Sequence, residues 1–345
     1  MKLALVRDSE IYNRKLLGLT LRDRIKVPLE RAGFKVRFFN GDTSVERAES
    51  YLIINEPVLI LERDIELNGR KLLVSDGFTF GYLFEEDFHA FFDGDLQMAI
   101  ERYLQRNSIE AQQIWAVKLS DENLKLSEKL LLSSLVKAKR TGLKPAYYDG
   151  IIARTLNRRI SLRISKYLAD RNVTPNQITV LSFLISVIGS ALFLLNSYLA
   201  TLIAGIIIQL HSIIDGCDGE IARLKFMESK YGAWLDGVLD RYADFLIIFC
   251  ITLSLSQTNG LYWVLGFLAA FASFIIAYTG DKYVAVYRQT YNSGSFKIPI
   301  TRDVRLFLIF LGAVFNALAI SVILIAVLGN IEGLRRIIAL RSAKL

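Results

Sequence analysis

Cysteine is scarce in this 345-residue sequence, and so is any apolar run at its start. The two cysteines, Cys217 and Cys250, lack the short paired spacing of a zinc site, and they do not indicate a disulfide framework. The opening segment MKLALVRDSE contains only four consecutive apolar residues, which is too few for a signal peptide. We therefore expect no disulfide-stapled fold, and we expect the first domain to stay on the cytoplasmic side of a membrane.

Positive charge is missing from three long segments. No Lys or Arg occurs at 172–222, 242–281 or 306–334, and these segments are strongly apolar. Charge is nearly balanced over the first 145 residues, so the net charge of +8 arises mainly from the cations that flank the apolar segments. Because these cations border apolar runs and are not interleaved with aromatic residues, the pattern favours a membrane protein and argues against nucleic-acid binding.

Residues 1–144 predict a cytoplasmic α/β domain, a Rossmann-like open sandwich, because strand-length and helix-like segments alternate along them. Pro28 interrupts the first helical pattern, where it removes a backbone hydrogen bond. The strand-like runs are KLALVR, KVRFF, VLILER, KLLVS and IWAVKL, and the helix-like segments are 20–33, 44–52, 93–106 and 121–140.

Residues 145–345 predict an all-α polytopic membrane domain that begins with an interfacial amphipathic helix. In GIIARTLNRRISLRISKYLADR an apolar residue recurs every four positions from Ile152 to Ile164, and basic residues cover much of the remaining surface. An ordinary surface helix on the soluble domain is the alternative. Six transmembrane helices follow, at 177–197, 199–217, 231–255, 261–281, 302–315 and 317–337.

The turns between these spans alternate in charge. Those between odd and even spans are uncharged and the others are basic, so the positive-inside rule places both termini and the segment between the second and third spans in the cytoplasm. The last two spans form one apolar region that we divide at Asn316. A single tilted helix is the alternative there, because the fifth span is short for a bilayer.

Four aspartates lie where the second span ends and the third begins, and an ionised carboxylate within a bilayer costs roughly 2.5–3.5 kcal/mol. Asp215 and Asp218 are three residues apart and Asp236 and Asp240 are four apart, so each pair shares one helix face. Converging carboxylates are ligands for one or two Mg²⁺ or Mn²⁺ ions that await a diphosphate. The alternative is a set of internal ion pairs, whose cations are Arg223, Lys230 and Arg241.

Glycines among these aspartates leave room for close backbone approach, and two cations there can hold phosphate oxygens. The glycines are Gly216, Gly219, Gly232 and Gly237, and the cations are Arg223 and Lys230. Asp244, one turn deeper, can pair with a neighbouring helix or touch a metal, and both interpretations stay open. We interpret His211 as a core histidine rather than a ligand.

The segment DGCDGEIARLKFMESKYGAWLDGVLD, residues 215–240, resembles in full the signature of the CDP-alcohol phosphotransferase family. The resemblance extends over about 150–345 and includes TPNQIT and TRDVR. It implies a six-helix membrane enzyme, usually a homodimer, that transfers a substituted phosphate group from a CDP-alcohol to an acceptor alcohol and releases CMP. The signature positions are Asp215, Asp218, Gly219, Ala222, Arg223, Gly232, Asp236 and Asp240.

The resemblance also implies roles for individual residues. Asp215, Asp218, Asp236 and Asp240 are the expected metal ligands, and Asp240 is in addition the expected general base. Arg302 and Arg305 are expected to grip an anionic acceptor, although membrane anchoring explains these two arginines equally well. The expected donor-binding residues are Asn176, Thr179, Gly219, Ala222, Arg223, Lys230 and Gly232.

Two other functions use intramembrane aspartates. A membrane transporter usually has internal repeats and broken spans, and neither is apparent in this sequence. A membrane prenyltransferase binds diphosphates through aspartates, yet it does not need the Ala-Arg and glycine spacing found here. The acceptor alcohol is left open between a di-inositol-phosphate type of synthesis and a phospholipid type with glycerophosphate or a similar acceptor.

The first domain resembles the nucleotidyltransferase part of inositol-phosphate cytidylyltransferase fusions, in a form that has lost catalysis. A glycine-rich loop should cradle the triphosphate after the first strand, but VRDSEIYNRKLLG has no glycine before Gly18. Asp8 and Glu10 occupy the position where phosphate would lie, and Asp64 alone matches a metal-binding carboxylate. The alternative is an unrelated α/β domain that docks on the membrane half.

Overall fold

A computed structural model describes residues 1–40, 45–60, 68–135, 150–288 and 298–342. The chain divides into two compact units, Met1–Leu143 and Lys144–Leu345. The described elements of the first unit are β1 (Lys2–Arg7), β2 (Lys15–Leu16), β3 (Leu19–Thr20), α1 (Leu21–Arg31), β4 (Phe34–Phe39), β5 (Ser50–Ile54), β6 (Val58–Ile60), β7 (Lys71–Ser75), β8 (Phe78–Glu85), α2 (Leu96–Arg106), β9 (Glu110–Gln113), β10 (Ala116–Lys118) and α3 (Leu124–Ser134).

A six-stranded mixed sheet organises the first unit, with strand order β4-β1-β5-β8-β7-β9. Strand β1 pairs in parallel with β4 and β5, whereas β8 runs antiparallel to both β5 and β7. Four consecutive β1 residues, Leu3 to Val6, are each at most 1% exposed, so both faces of this strand are covered. The α/β prediction is therefore confirmed, and the β8–β7 hairpin makes the sheet mixed.

The five strand-like runs all contain strands, but the helix expected at 44–52 is wrong over the described residues 45–52. No helix forms there, and Ser50–Ile54 is β5, which is hydrogen-bonded between β1 and β8. Pairing on both sides stabilises a strand regardless of weak local helix preference. Helix α1 continues through Pro28, which is buried. The helix expected at 121–140 extends over Leu124–Ser134, and its last five positions lie outside the described residues.

Helices make up the second unit as the structure describes it. Short turns separate several of them, and Asn196 and Asn316 in two of these turns have positive φ angles of 51°. The division at Asn316 is thus confirmed, because helices end before it and begin after it. The helices are α4 (Arg158–Ala169), preceded by a π-helical turn (Ala153–Asn157), α5 (Pro175–Leu192), α6 (Tyr198–Leu224), α7 (Lys230–Ser256), α8 (Leu261–Tyr287), α9 (Arg302–Val314) and α10 (Leu318–Ser342).

Four described helical segments are long and apolar enough to cross a membrane, judged by length and composition: Pro175–Leu195, Tyr198–Leu224, Leu261–Tyr287 and Leu318–Ala339. The chain is accordingly an integral membrane protein. Helix α7 has 27 residues but is rich in charge in its first half. Helix α9 has 13 residues, or about 20 Å at 1.5 Å per residue, and falls short of a bilayer core of about 30 Å.

Helix α6 lies at the centre of the second unit and packs against α4, α5 and α9. Leu156 in the π-helical turn and Ile160 on α4 are 38% and 37% exposed, whereas Ser161 and Ser165 on α4 are buried against α6. This arrangement is the reverse of a helix on a water-soluble protein, which buries its apolar stripe. The location of this helix in the membrane interface stays a prediction.

Candidate metal and phosphate site

The start of α5 is fixed by a capping box that the segment TPNQIT encodes. The Thr174 side chain accepts a hydrogen bond from the backbone N–H of Gln177, whose side chain accepts one from the backbone N–H of Thr174. Pro175 occupies the first helical position, where its missing N–H costs nothing. The turns that follow point Thr179 and Ser182 toward α6, and both side chains contact aspartates there.

Three of the four predicted aspartates come together where α6 ends and α7 begins. One carboxylate oxygen each from Asp215, Asp236 and Asp240 lies within 4.8 Å of the other two. The three side chains are partly buried. Hard oxygen ligands at this separation suit a divalent cation such as Mg²⁺ or Mn²⁺, so the residues fit a metal.

Asp218 lies outside this group of three and is held by its neighbours. Its Oδ2 accepts a hydrogen bond from Thr179 Oγ1 at 2.6 Å, and its Oδ1 accepts one from the backbone N–H of Gly219. Only 8% of its surface is exposed. Thr179, which was expected to line a nucleotide pocket, therefore orients an aspartate of the signature.

Arg302, at the first position of α9, inserts its guanidinium among the aspartates. Its Nη1 lies 2.6 Å from Asp215 Oδ2 and 2.9 Å from Asp240 Oδ1, and its Nε lies 3.0 Å from Asp244 Oδ1. From the sequence, the expected ion-pair partners of the aspartates were Arg223, Lys230 and Arg241. The sequence therefore did not identify Arg302 as the cation that the aspartates share. Its side chain is 20% exposed.

Asp244 and Arg305 form a buried pair one turn deeper. Arg305 Nη2 donates to Asp244 Oδ2 at 2.9 Å, and Arg305 Nη1 donates to the carbonyl of Ile300 at 3.1 Å. Arg305 is 4% exposed, and its guanidinium is engaged within the protein. Ser273, on α8, also donates to Asp244 Oδ2. Of the two interpretations of Asp244, the structure therefore favours pairing with neighbouring helices.

His211 belongs to the same network and is 1% exposed. Its Nε2 lies 3.0 Å from Arg302 Nη2, and because a guanidinium only donates, this nitrogen is the acceptor. The proton then resides on Nδ1, which donates to the carbonyl of Ser182 at 2.9 Å. The histidine is thus a packed, hydrogen-bonded residue that steadies Arg302, as its interpretation as a core residue implies.

The expected donor-binding residues line the same end of the helices with less direct contact. A Cβ at Gly232 would lie 2.9 Å from Asn176 Oδ1, and one at Gly219 would lie 3.1 Å from Arg223 Nη1, so both glycines permit close approach of a neighbour. Ala222 is partly buried on α6, and Lys230 is exposed at the first position of α7.

Two serines contact the aspartates of the site, and no sequence pattern predicted these contacts. Ser182 Oγ donates to Asp215 Oδ1 at 3.2 Å, and Ser273 holds Asp244 from α8. A single serine in an apolar span is common, and only the packing of α5 and α8 against the aspartate helices gives these two a role.

In the first unit, the loop after β1 contains no glycine and forms a 3₁₀ turn at Glu10–Asn13. Asp8 Oδ1 accepts from Arg22 Nη2 at 2.6 Å, so this acid is paired. A cavity of about 410 Å³ beside the turn is lined by Glu10, by Asp121 and by Arg14, which pairs with Asp121 at 2.9 Å. Asp64 lies outside the described residues.

Two family models match the chain. One, described as CDP-alcohol phosphatidyltransferase, matches residues 172–331, and the other, described as CDP-alcohol phosphatidyltransferase-like, N-terminal, matches residues 1–135. A solved structure of Mycobacterium tuberculosis phosphatidylinositol phosphate synthase with CDP-DAG bound is 22% identical and covers 54% of this chain and 96% of its own, with a TM-score of 0.46.

Two curated relatives differ in the part of the chain that they cover. The bifunctional IPC transferase and DIPP synthase of Aquifex aeolicus is 29% identical over 84% of this chain and 67% of its own length. The archaetidylinositol phosphate synthase of Pyrococcus horikoshii is 35% identical over 51% of this chain and 87% of its own length. The match to the bifunctional protein of Archaeoglobus fulgidus, at 34% identity, spans 61% of this chain and only 40% of that protein.

Proposed function

The chain belongs to the CDP-alcohol phosphatidyltransferase family, and we propose that it transfers a substituted phosphate group from a CDP-alcohol to an acceptor alcohol with release of CMP. The observation that carries this proposal is the group of three carboxylates, Asp215, Asp236 and Asp240, whose oxygens converge within 4.8 Å. Facing ends of two helices hold them, in a segment otherwise suited to a membrane.

The metal ligands are proposed to be Asp215, Asp236 and Asp240, with Asp218 completing the set of four. A bound Mg²⁺ or Mn²⁺, as one or two ions, would neutralise the donor diphosphate and make CMP a better leaving group. Arg302 contacts Asp215 and Asp240, and Arg241 lies 3.8 Å from Asp240, so two protein cations face three carboxylates and negative charge remains in excess. That excess favours cation binding.

Asp240 is proposed as the general base. Its Oδ1 is held by Arg302, whereas Oδ2 lies 3.8 Å from Arg241 Nη1, beyond hydrogen-bond distance. The acceptor hydroxyl gives its proton to Asp240 while its oxygen forms a bond to the donor phosphorus that carries the alcohol. The bond from that phosphorus to the bridging oxygen breaks, and CMP leaves with the electron pair.

The donor is proposed to lie along the ends of α5, α6 and α7. Asn176 and Gly232 are adjacent there, and Arg223 reaches the position above Gly219. Arg302 retains 20% exposure and is proposed to meet an anionic acceptor beside the base. Arg305 is buried against Asp244, so we assign it to support of that aspartate.

The acceptor is proposed to be an inositol phosphate, because two differently named groups of relatives share that chemistry. One is called archaetidylinositol phosphate synthase and the other bifunctional IPC transferase and DIPP synthase. For this chain we propose a CDP-lipid or CDP-inositol as the donor. Both donors present the same CDP diphosphate to the aspartates.

Release of CMP tests the proposal. Purified protein with Mg²⁺ and inositol phosphate should release CMP from CDP-inositol or from a CDP-lipid, and glycerol phosphate in place of inositol phosphate tests the acceptor. CMP release with glycerol phosphate but not with inositol phosphate would show that glycerol phosphate is the acceptor. No CMP from either donor would reject the reaction, and uptake of an intact substrate or release of pyrophosphate from a prenyl diphosphate would indicate a transporter or a prenyltransferase.

We propose six spans in a homodimer of the cell membrane, with α7 and α9 as the two additional spans and α4 in the cytoplasmic interface. The charged first half of α7 faces the aspartate site, which explains why its composition is unlike a lipid-facing helix. Because both cysteines are buried, Lys230→Cys introduces a selective label. A membrane-impermeant maleimide should fail to reach it from outside intact cells, and efficient labelling would reverse the topology.

The first unit is proposed to be a nucleotidyltransferase-like domain without catalysis. Glu10 lines its cavity beside the Arg14–Asp121 ion pair, and no glycine precedes Gly18 in the loop, so Glu10 would repel a triphosphate that no glycine-rich loop holds. The whole protein mixed with CTP and inositol phosphate should release no pyrophosphate. Pyrophosphate release above that of a CTP-only control would show that the chain makes its own CDP-donor.

A further inference from the structure

A third acid on α6, Glu220, is completely buried within the signature segment, although its position is not one of the signature's fixed residues. Both of its oxygens are engaged by α4. Its Oε1 accepts from Arg158 Nη1 and from Ser161 Oγ, each at 2.6 Å, and its Oε2 accepts from Ser165 Oγ at 2.6 Å. A buried carboxylate that accepts from three donors is fixed in orientation.

The same arginine also contacts the backbone beside a predicted metal ligand. Arg158 Nη1 donates to the carbonyl of Gly216 at 3.2 Å, and Gly216 directly follows Asp215. A Cβ at position 216 would lie 3.1 Å from that Nη1, so glycine is what permits the approach. The Arg158 guanidinium thus links Glu220 to the helical turn that contains Asp215. Glu220 in turn lies two residues after Asp218.

These contacts belong to a polar seam between α4 and α6, which we define as Asn157, Arg158, Ser161 and Ser165 with Gln209, Ser212, Gly216 and Glu220. Asn157 Nδ2 donates to Ser212 Oγ at 3.0 Å, and Gln209 Nε2 donates to Asn157 Oδ1 at 2.9 Å. Hydrogen bonds along three turns fix both the height and the rotation of α6.

The aspartates point away from this seam. Asp215 contacts Ser182 on α5 and Arg302 on α9, and Asp218 contacts Thr179 on α5. Gly216 and Glu220 are four residues apart and share the face toward α4. Rotation of α6 against α4 would therefore move both aspartates relative to Asp236 and Asp240 on α7.

We propose that Glu220 is a positioning residue for the metal site: through Arg158 and the two serines it sets the rotation of α6 that brings Asp215 within reach of the aspartates of α7. The proposal rests on the proposed function for the identity of the ligand, a divalent cation. It makes α4 part of the metal site's support as well as a helix at the membrane interface.

Direct binding of Mn²⁺ to the purified full-length protein tests the proposal, with free Mn²⁺ measured by electron paramagnetic resonance. Glu220→Gln keeps the shape but replaces one accepting oxygen by an amide nitrogen, which cannot accept from Arg158 or a serine. It should weaken Mn²⁺ binding by about 10- to 100-fold, the range for residues that orient metal ligands. Arg158→Lys keeps the charge but replaces the planar guanidinium by a shorter side chain with a compact ammonium group. It should fold, contact Glu220 and the carbonyl of Gly216 less well, and weaken binding by a smaller factor.

Glu332→Gln is the matched control, because Glu332 is also buried, at 2% exposure, and pairs with Arg335 and Arg336 but contacts none of the aspartates. Both glutamine variants should lower the melting temperature, and only Glu220→Gln should change the Mn²⁺ dissociation constant. Unchanged Mn²⁺ affinity in folded Glu220→Gln and Arg158→Lys, or an equal loss in Glu332→Gln, would overturn the positioning role. If the unaltered protein binds no Mn²⁺, both the proposed function and this proposal are rejected. If it binds Mn²⁺ normally but releases no CMP, only the proposed reaction is rejected and the positioning role of Glu220 can still be tested.

Discussion

The membrane unit contains two kinds of acid group, and they differ in charge balance. Glu332 receives hydrogen bonds from two arginines, at 2.7 to 3.0 Å, and from the backbone N–H of Ile298. In the aspartate group, by contrast, Asp215 and Asp240 share Arg302, and Asp236 forms no ion pair among the described residues. An acid such as Glu332, whose charge is neutralised by arginines of the protein, has a structural role. The aspartate group keeps excess negative charge and is therefore suited to bind a cation from solution.

Asp240→Asn should produce the largest fall in activity, because it removes the proposed general base from the aspartate group. No residue has that role beside Glu332. At saturating Mg²⁺ and CDP-donor, turnover is expected to fall about 10²- to 10⁴-fold. Asp215 and Asp236 remain to hold the metal, so metal and CDP-donor binding should weaken less than turnover. CMP release at saturating Mg²⁺ measures turnover. Asp281→Asn is the matched control, since Asp281 also pairs with Arg241 but its side chain is 75% exposed. Near-full activity of Asp240→Asn would remove Asp240 from the base role.

Arg302→Gln tests the charge balance itself. Loss of this guanidinium leaves buried carboxylates without their shared partner, and breaking a buried pair costs about 3–5 kcal/mol, so the melting temperature should fall. Added Mg²⁺ should restore part of the loss, since a bound cation replaces the missing charge. Arg335→Gln leaves Glu332 with Arg336 and should show a smaller fall without Mg²⁺ recovery. Equal Mg²⁺ recovery in both variants would contradict the comparison.

Asp236→Asn and Asp218→Asn distinguish members of the aspartate group. Asp218 is held by Thr179 outside the converging three, so its loss should raise the Mg²⁺ needed for half activity by about 10- to 100-fold. Asp236 is one of the three and makes no competing ion pair, so its loss should raise that concentration further. A larger effect at Asp218 would place it among the direct ligands, with Asp236 in the supporting role.

Much of the site followed from the sequence because its residues are close along the chain. The steps of three and four between Asp215 and Asp218 and between Asp236 and Asp240 are helix geometry, which local sequence determines. The capping box at Thr174 is equally local. Strand β5 was missed for the opposite reason: its state depends on pairing with β1 and β8, which come from distant parts of the chain.

The sequence by itself determined the membrane character of the second unit, the α/β class of the first and the aspartates of the site, because periodicity, charge placement and spacing are properties of neighbouring residues. Only the tertiary structure decided which cation they share. Arg302 is 87 residues from Asp215, and Arg158 is 62 residues from Glu220. Packing of α9 and α4 against α6 creates these pairs, and no local pattern encodes which buried arginine meets which acid.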